Sequence, residues 1–317
     1  MVKIKKISSK FMKTKLPQSD DNGLYATLDE LMNMRKYVAY MQNSYKHKTY
    51  SAQTGDIKSA FKGRGIEMEE IREYHFGDDV RDIDWRVTAR KEKPYTKIYM
   101  EEKDREIYVW LDLSQMMLFG SSYELKSVTA SKFAALIAWI ALNNKDRFGC
   151  IIFDGKNSWL YKAKNDRAYL AAVLKKISEV GKQILQKEYN DSAQRIKSLK
   201  MLQANIKNKA SLFVISSFIG WNADYDMELA ALAKKTDMYL INIFDKLEEK
   251  APTAGQYMAQ FGDEKIVFDS SSKIYQKKYA DYFATKRQER KQFCRKIGCK
   301  MIDFSSSMSF INGLKIL

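Results

Sequence analysis

Four largely apolar runs, "EIYVWLDL" (106–113), "DRFGCIIFD" (146–154), "ASLFVISSF" (210–218) and "DMYLINIFD" (237–245), constrain this chain more than any other feature. A strand with one wet face alternates apolar and polar residues; a run apolar throughout has both faces covered, as in a parallel sheet. Stretches of helical periodicity lie between the runs: Ser122 to Asn144, 167–180, about 192–203, and "ADYDMELAALAKKT". Strands and helices alternating in this way predict an α/β fold, a doubly wound, mostly parallel sheet, over residues 106–270. "EKIVFD" (264–269) reads as a short fifth strand. Ligands of such sheets bind beyond the carboxyl ends of the strands, where the first run ends in Asp112 and Ser114.

The flanks read differently. Residues 1 to about 23 resemble a leader, and Thr27 with Glu30 forms a capping box before a helix carrying Leu31, Met34, Val38 and Met41. Residues 1–105 as a whole are expected to be a helical and loop-rich N-terminal region. Residues 271–317 are expected to be a basic helix, stopped at Gly298, with a tail packed on the sheet domain. Net charge is +16, and most of it sits at the ends: ten Lys/Arg against four Asp/Glu in residues 1–50, eleven against three in 271–317. Such ends attract an acidic client protein, nucleic acid or an anionic membrane, or are simply solvated lysine-rich surface.

Two histidines and three unpaired-looking cysteines (Cys150, Cys294, Cys299) leave little from which to build a zinc site or a Ser-His-Asp triad. No nucleotide-binding glycine loop occurs. The longest apolar stretch, Phe133 to Leu142, is about half the roughly 20 residues needed to span a bilayer. The basic N-terminus lacks the apolar core of a secretory signal. The chain is therefore expected to be soluble and cytoplasmic.

Residues 63–90, "GRGIEMEEIREYHFGDDVRDIDWRVTAR", carry the most specific pattern. Gly63, Gly65, Arg72, Glu73, Tyr74, Gly77, Asp78, Asp79, Arg81, Ile83, Asp84, Trp85, Ala89 and Arg90 occur in the order of the signature of domain-of-unknown-function family 58. The chain resembles that family from about residue 50 to 270, including "DLS" at 112–114, "DRFG" at 146–149 and "FDKLEEK" at 244–250. The resemblance implies a von Willebrand factor A-like sheet domain and association with MoxR-type AAA+ ATPases. It implies no catalytic activity. From the residues themselves, balanced charge at this density predicts bidentate Arg–carboxylate pairs holding a loop, with Gly77 in a left-handed turn. Two readings stand side by side: a structural collar, or a partner-docking face made by Arg72, Glu73, Tyr74, Gly77, Asp78, Asp79, Arg81, Asp84, Trp85 and Arg90.

In A-like domains an Asp-x-Ser-x-Ser loop holds Mg²⁺, with a Thr and a second Asp from later loops. Here Asp112 and Ser114 keep the first two positions. Met116 puts a thioether at the third, and Ser217 stands where the later carboxylate is expected; Mg²⁺ prefers neither change. The expectation is a degraded site that binds Mg²⁺ weakly or not at all, with no other cofactor, in which Asp112 caps its own loop.

Two other readings have a residue basis. Asp84 with Glu101, Glu102 and Lys103 imitates the metal-dependent nuclease layout, a pattern with little specificity in so charged a chain. The C-terminal helix interleaves Lys277, Lys278, Lys286, Arg287, Arg290, Lys291, Arg295 and Lys296 with Tyr275, Tyr279, Tyr282 and Phe283. That interleaving suits nucleic acid or an anionic membrane surface, while the three-to-four spacing of the aromatics suits a face packed on the core. The expected function is that of a non-enzymatic adaptor for a MoxR-type AAA+ ATPase; the alternative is a basic binding module.

Overall fold

The computed structural model describes residues 3–6, 23–38, 68–75, 78–91, 93–99, 105–186, 192–261 and 264–316. They fall into two compact units, Phe61–Asp104, and Met1–Ala60 with Arg105–Leu317. In chain order the elements are strand β1 (Lys3–Lys6) and helix α1 (Leu28–Asn33), then β2 (Met68–Glu73), α2 (Trp85–Lys91) and β3 (Tyr95–Tyr99) of the smaller unit. The larger unit resumes with β4 (Glu106–Asp112), α3 (Lys126–Asn143), β5 (Arg147–Phe153), β6 (Ser158–Lys164), α4 (Arg167–Gln183) and α5 (Ser192–Asn205). It continues through β7 (Ala210–Ser216), α6 (Ala223–Ala233), β8 (Thr236–Phe244), β9 (Gln256–Phe261) and β10 (Glu264–Asp269). It ends with α7 (Lys273–Ile297), β11 (Lys300–Ser305) and α8 (Phe310–Ile316).

The four apolar runs become β4, β5, β7 and β8, and every residue of β4 is buried. They lie in one sheet of order β11-β8-β7-β4-β5-β6, all parallel except β6, which pairs antiparallel with β5. On one face Trp110, Phe153 and Val214 pack against Leu199 and Leu202 of α5, Leu229 and Leu232 of α6, and Cys294 of α7. On the other lies α3, buried along almost its whole length, with Phe133 edge-to-face on Phe304 of β11 at 4.6 Å. Helices α1 and α4 pack against α3, and the Trp139 indole N–H of α3 donates to the Leu31 carbonyl of α1. The chain passes from β4 to β5 on one side, then crosses to β7 on the other. The strand order therefore reverses at β4, the switch point where sheets of this kind open a crevice.

Local signals explain the helix limits. Thr27 and Glu30 do form a reciprocal capping box on α1, and Gly298, at φ 73°, ends α7 in the left-handed conformation that glycine adopts without strain. Three placements differ from the sequence reading. "EKIVFD" is a strand, β10, but it pairs with β9 in a separate antiparallel sheet of order β1-β9-β10. Lys3–Lys6, within the supposed leader, form the third strand of that sheet. The fifth parallel strand of the main sheet is β11, beyond the long basic helix. Met41 lies outside the described residues.

The Asp-Arg-Phe-Gly run has a packing reason. Arg147 pairs with the buried carboxylate of Glu106 at 3.0 Å and donates to the Ala163 carbonyl. A side chain at Gly149 would run into the ring of Tyr108, itself 2% exposed and bonded through its hydroxyl to the Ala163 N–H. Gly149→Ala is expected to lose about 1–3 kcal/mol in urea unfolding, the range for overpacking a closed core; a variant as stable as the parent would show that the ring has room to move.

Candidate functional site

In the smaller unit, the signature segment folds as a hairpin carrying a turn and a short helix. Arg72, near the end of β2, donates through Nη2 to Asp78 Oδ1 at 2.7 Å and through Nη1 to the Glu73 carbonyl at 3.0 Å. Asp78 also accepts the His75 N–H at 2.9 Å. The Arg72 hydrogen bond, and after it the His75 N–H, hold the Asp78 carboxyl below its ordinary range. The fold thus binds the ionised form: this turn is secured above the unfolded carboxyl range and loosens as pH falls through the lowered folded value. Arg72→Met is expected to raise the Asp78 titration toward the ordinary carboxylate range in carboxyl NMR, and an unmoved titration would deny Arg72 that role.

Asp79 caps the turn Val80–Asp82, accepting the Arg81 N–H at 2.9 Å and the Arg81 Nε–H at 3.2 Å. Asp84 Oδ1 accepts the N–H groups of Arg86 and Val87 at the start of α2. The Asp84 N–H and Thr88 hydroxyl oxygen then bond the backbone of Tyr95, tying α2 to β3. The Tyr74 N–H donates to the Pro94 carbonyl, and Glu73 pairs with Lys93 at 3.2 Å. The carboxylates therefore serve chiefly as caps; where bidentate forks were expected, Arg72 divides its fork between a carboxylate and a carbonyl. On this scaffold Trp85 is 67% exposed and Val80 57%, and Arg86, Ala89 and Arg90 are exposed beside them. Gly63, Gly65 and Gly77 lie outside the described residues, as do Glu101, Glu102 and Lys103 of the nuclease-like layout.

In the larger unit, Asp112 ends β4 at the switch point, 1% exposed. Its Oδ1 accepts the Ser114 N–H at 2.9 Å, closing an Asx turn. Its Oδ2 accepts the hydroxyl of Ser216 at 2.6 Å. Ser216, the last residue of β7, thus reaches Asp112; neighbouring Ser217 is buried, and its hydroxyl finds no partner among the described residues. Met116 lies in the turn Gln115–Met117. The residue that reading the sequence missed is Arg195 of α5, 2% exposed, whose Nη2 stands 3.3 Å from Ser114 Oγ and 4.0 Å from Asp112 Oδ2. A signal was present: Arg195, Ser198, Leu199 and Leu202 are the buried stripe of α5 at helical spacing, so a charged side chain stands on the face that packs inward.

Mg²⁺ needs an octahedron of hard oxygens with room for water. Both Asp112 oxygens already accept hydrogen bonds, Ser114 Oγ faces a guanidinium, and the third position of the loop is a thioether. The residues present do not fit that ion. Among the described residues no cluster of three or more His, Cys, Asp or Glu side chains gathers as a metal site elsewhere.

The "FDKLEEK" run is a clamp beyond β8. Asp245, fully buried, accepts the N–H groups of Ser121 and Leu247 and the Ser307 hydroxyl. Its own N–H donates to Glu248 Oε2, and Glu248 Oε1 meets Lys126 Nζ at 2.5 Å. Farther along, the Tyr279 hydroxyl of α7 donates to the Leu247 carbonyl at 2.5 Å, and burial raises that phenol to about 12. Helix α7 turns three of its four interleaved aromatics toward the protein, with Tyr275 stacked on Phe268 and Tyr279 against Phe283, while Tyr282 is 59% exposed. Arg287 pairs with Glu249 at 2.7 Å, Arg290 with Asp226 at 2.5 Å, and Lys291 with Asp303 at 3.2 Å. Lys277, Lys278, Arg295 and Lys296 remain exposed.

The model of the family described as Protein of unknown function DUF58 matches residues 70–290, most of the chain. The chain belongs to that family. The DUF58 match thus begins in β2, takes in five of the six strands of the main sheet and ends within α7, before β11. Uncharacterized proteins of Mycobacterium tuberculosis and Mycobacterium bovis are each 26% identical over 231 residues, covering 73% of this chain and 71% of theirs. Among solved structures, the conserved hypothetical protein BatB from Bacteroides thetaiotaomicron is 16% identical with a TM-score of 0.36, covering 61% of this chain and 98% of its own. An aerotolerance-related membrane protein from Bacteroides fragilis is 12% identical with a TM-score of 0.39, covering 67% and 100%. In this DUF58 chain no helix among the described residues is long and apolar enough to cross a membrane.

Proposed function

We propose that this DUF58 protein is a non-enzymatic adaptor that engages a MoxR-type AAA+ ATPase through the face formed by residues 72–90. The observation that carries this reading is Trp85, 67% exposed, on a segment whose capping carboxylates hold it in one shape. An exposed tryptophan on a stiffened scaffold is the residue type that dominates protein interfaces, since it gains a large contact area with little entropy to lose. Arg81, Arg86 and Arg90 around it supply a polar, charged rim. The choice of ATPase rests on the resemblance to the family, the choice of surface on the residues. The sheet domain, von Willebrand factor A-like in this reading, contributes no metal chemistry of its own.

The competing basic module is weakened by its own residues. Arg287 and Arg290, which were to grip phosphates, are engaged by Glu249 and Asp226, and most of the interleaved aromatics face inward. The adaptor is tested by calorimetric titration of the purified chain with a purified MoxR-type ATPase from the same genome. Saturable binding at micromolar concentration or tighter is expected. No heat at any concentration, with binding to duplex DNA or anionic vesicles instead, would favour the basic module.

A further inference from the structure

We infer that Arg195 is the resident cation at the carboxyl edge of the main sheet, holding the place and the charge that a divalent ion would take beside Asp112 and Ser114. A carboxylate as buried as Asp112 needs a compensating charge, because two hydrogen bonds from neutral donors do not replace lost hydration. The Arg195 guanidinium is the cation beside it, at 4.0 Å from Oδ2, with the same nitrogen 3.3 Å from Ser114 Oγ. Those two oxygens belong to the loop positions that would face a metal.

The guanidinium is itself fitted to a dry place. Its carbon lies 5.8 Å from the ring centre of Phe153, 6.0 Å from Trp221 and 5.5 Å from Tyr225. Ring faces stabilise a cation that has left water. Its Nε–H has no hydrogen-bond acceptor among the described residues, a cost that the attraction to Asp112 and the rings must offset. The backbone is pinned as well: the Arg195 carbonyl accepts the Ser198 hydroxyl at 2.7 Å, and Ser198 Oγ accepts the indole N–H of Trp110 at 2.9 Å. Trp110 stands two residues before Asp112 on β4, so anion and cation are anchored through the same core. A divalent ion beside Asp112 would meet this fixed positive charge at close range and be repelled. The edge is therefore independent of metal, and closed to any ligand that would complete a metal's coordination sphere. This holds whether or not the adaptor reading does.

The test uses the full chain and two readouts. Manganese titration followed by electron paramagnetic resonance is expected to show no saturable binding to the parent up to about 1 mM, a concentration well above that at which strong oxygen sites fill. The double variant Met116→Ser with Arg195→Ser is expected to gain a site, lost again on adding Asp112→Asn. Independently, Asp112→Asn and Arg195→Met are each expected to lower Tm, by on the order of 10 °C. The pair together should lower it by clearly less than the sum, because each removes the need for the other. Additive shifts would mean that Arg195 only packs, and would overturn the inference. So would saturable manganese binding by the parent that Asp112→Asn abolishes. If the serine double variant does not fold, the melting cycle decides alone.

Discussion

Replacing Lys126 by alanine is expected to lower unfolding stability by about 3–5 kcal/mol, among the largest effects of any single substitution in this chain. Lys126 opens α3 with its side chain fully buried, and its ammonium meets Glu248 Oε1 at 2.5 Å in a place where Glu248 is only 12% exposed. Neither charge has water to fall back on. Removing the lysine strands a carboxylate that also accepts the Asp245 N–H, so the whole clamp beyond β8 is left with an uncompensated charge. Urea unfolding measures the loss. The double variant Lys126→Met with Glu248→Gln is expected to recover more than half of it, since glutamine still accepts from Asp245 while no charge remains to be paired. A single variant within about 0.5 kcal/mol of the parent, the range of an ordinary surface substitution, would show that the pair is solvated in practice.

Trp85→Ala is expected to do the opposite: stability within about 0.5 kcal/mol of the parent, with a loss of ATPase affinity of about 2–4 kcal/mol, or roughly 30- to 1000-fold. The side chain is 67% exposed, so its removal leaves no cavity. Its backbone begins α2 under the cap of Asp84, which the substitution preserves. Asp84→Ala separates shape from contact: without the cap the start of α2 loses two hydrogen bonds, and affinity should fall together with helix order. If Trp85→Ala binds as tightly as the parent while Asp84→Ala does not, the segment acts as a collar and its exposed tryptophan is incidental.

Much of the fold is legible in the sequence for one physical reason. Strands covered on both faces must be apolar throughout, so β4, β5, β7 and β8 stand out as runs. Helix ends have chemistry of their own, visible in the Thr27–Glu30 box and in Gly298. Legibility fails where partners are set by topology. β10 has strand character, but nothing in "EKIVFD" tells that its neighbour is β9. β11, "KMIDFS", buries only Ile302 and Phe304, so its polar alternate positions hide an edge strand of the main sheet. The choice between Ser216 and Ser217 depends on where β7 ends relative to β4.

The candidate site divides in the same way. The loop Asp112 to Met116 announces itself, and the thioether is enough to question a metal. The replacement cation comes from α5, 81 residues from Ser114 along the chain, and no local spacing links them. The surviving clue is chemical. Arg195 on the stripe of α5, like Lys126 and Lys132 in the buried α3, is a charge where the pattern asks for an apolar side chain, and each faces a carboxylate outside its own helix. In the signature segment the density of charge was plain, but its use was not. Asp79 and Asp84 cap backbone, and only a description of the turn reveals that Trp85 is left outside.

The most direct test of the adaptor is affinity purification of the tagged chain from its own cells, with the MoxR-type ATPase quantified by mass spectrometry for the parent and for Trp85→Ala side by side. The ATPase is expected to be enriched with the parent, at the same level in buffer containing EDTA, and reduced at least tenfold with the variant. Absence of the ATPase from both samples, or equal recovery from both, would contradict the adaptor reading.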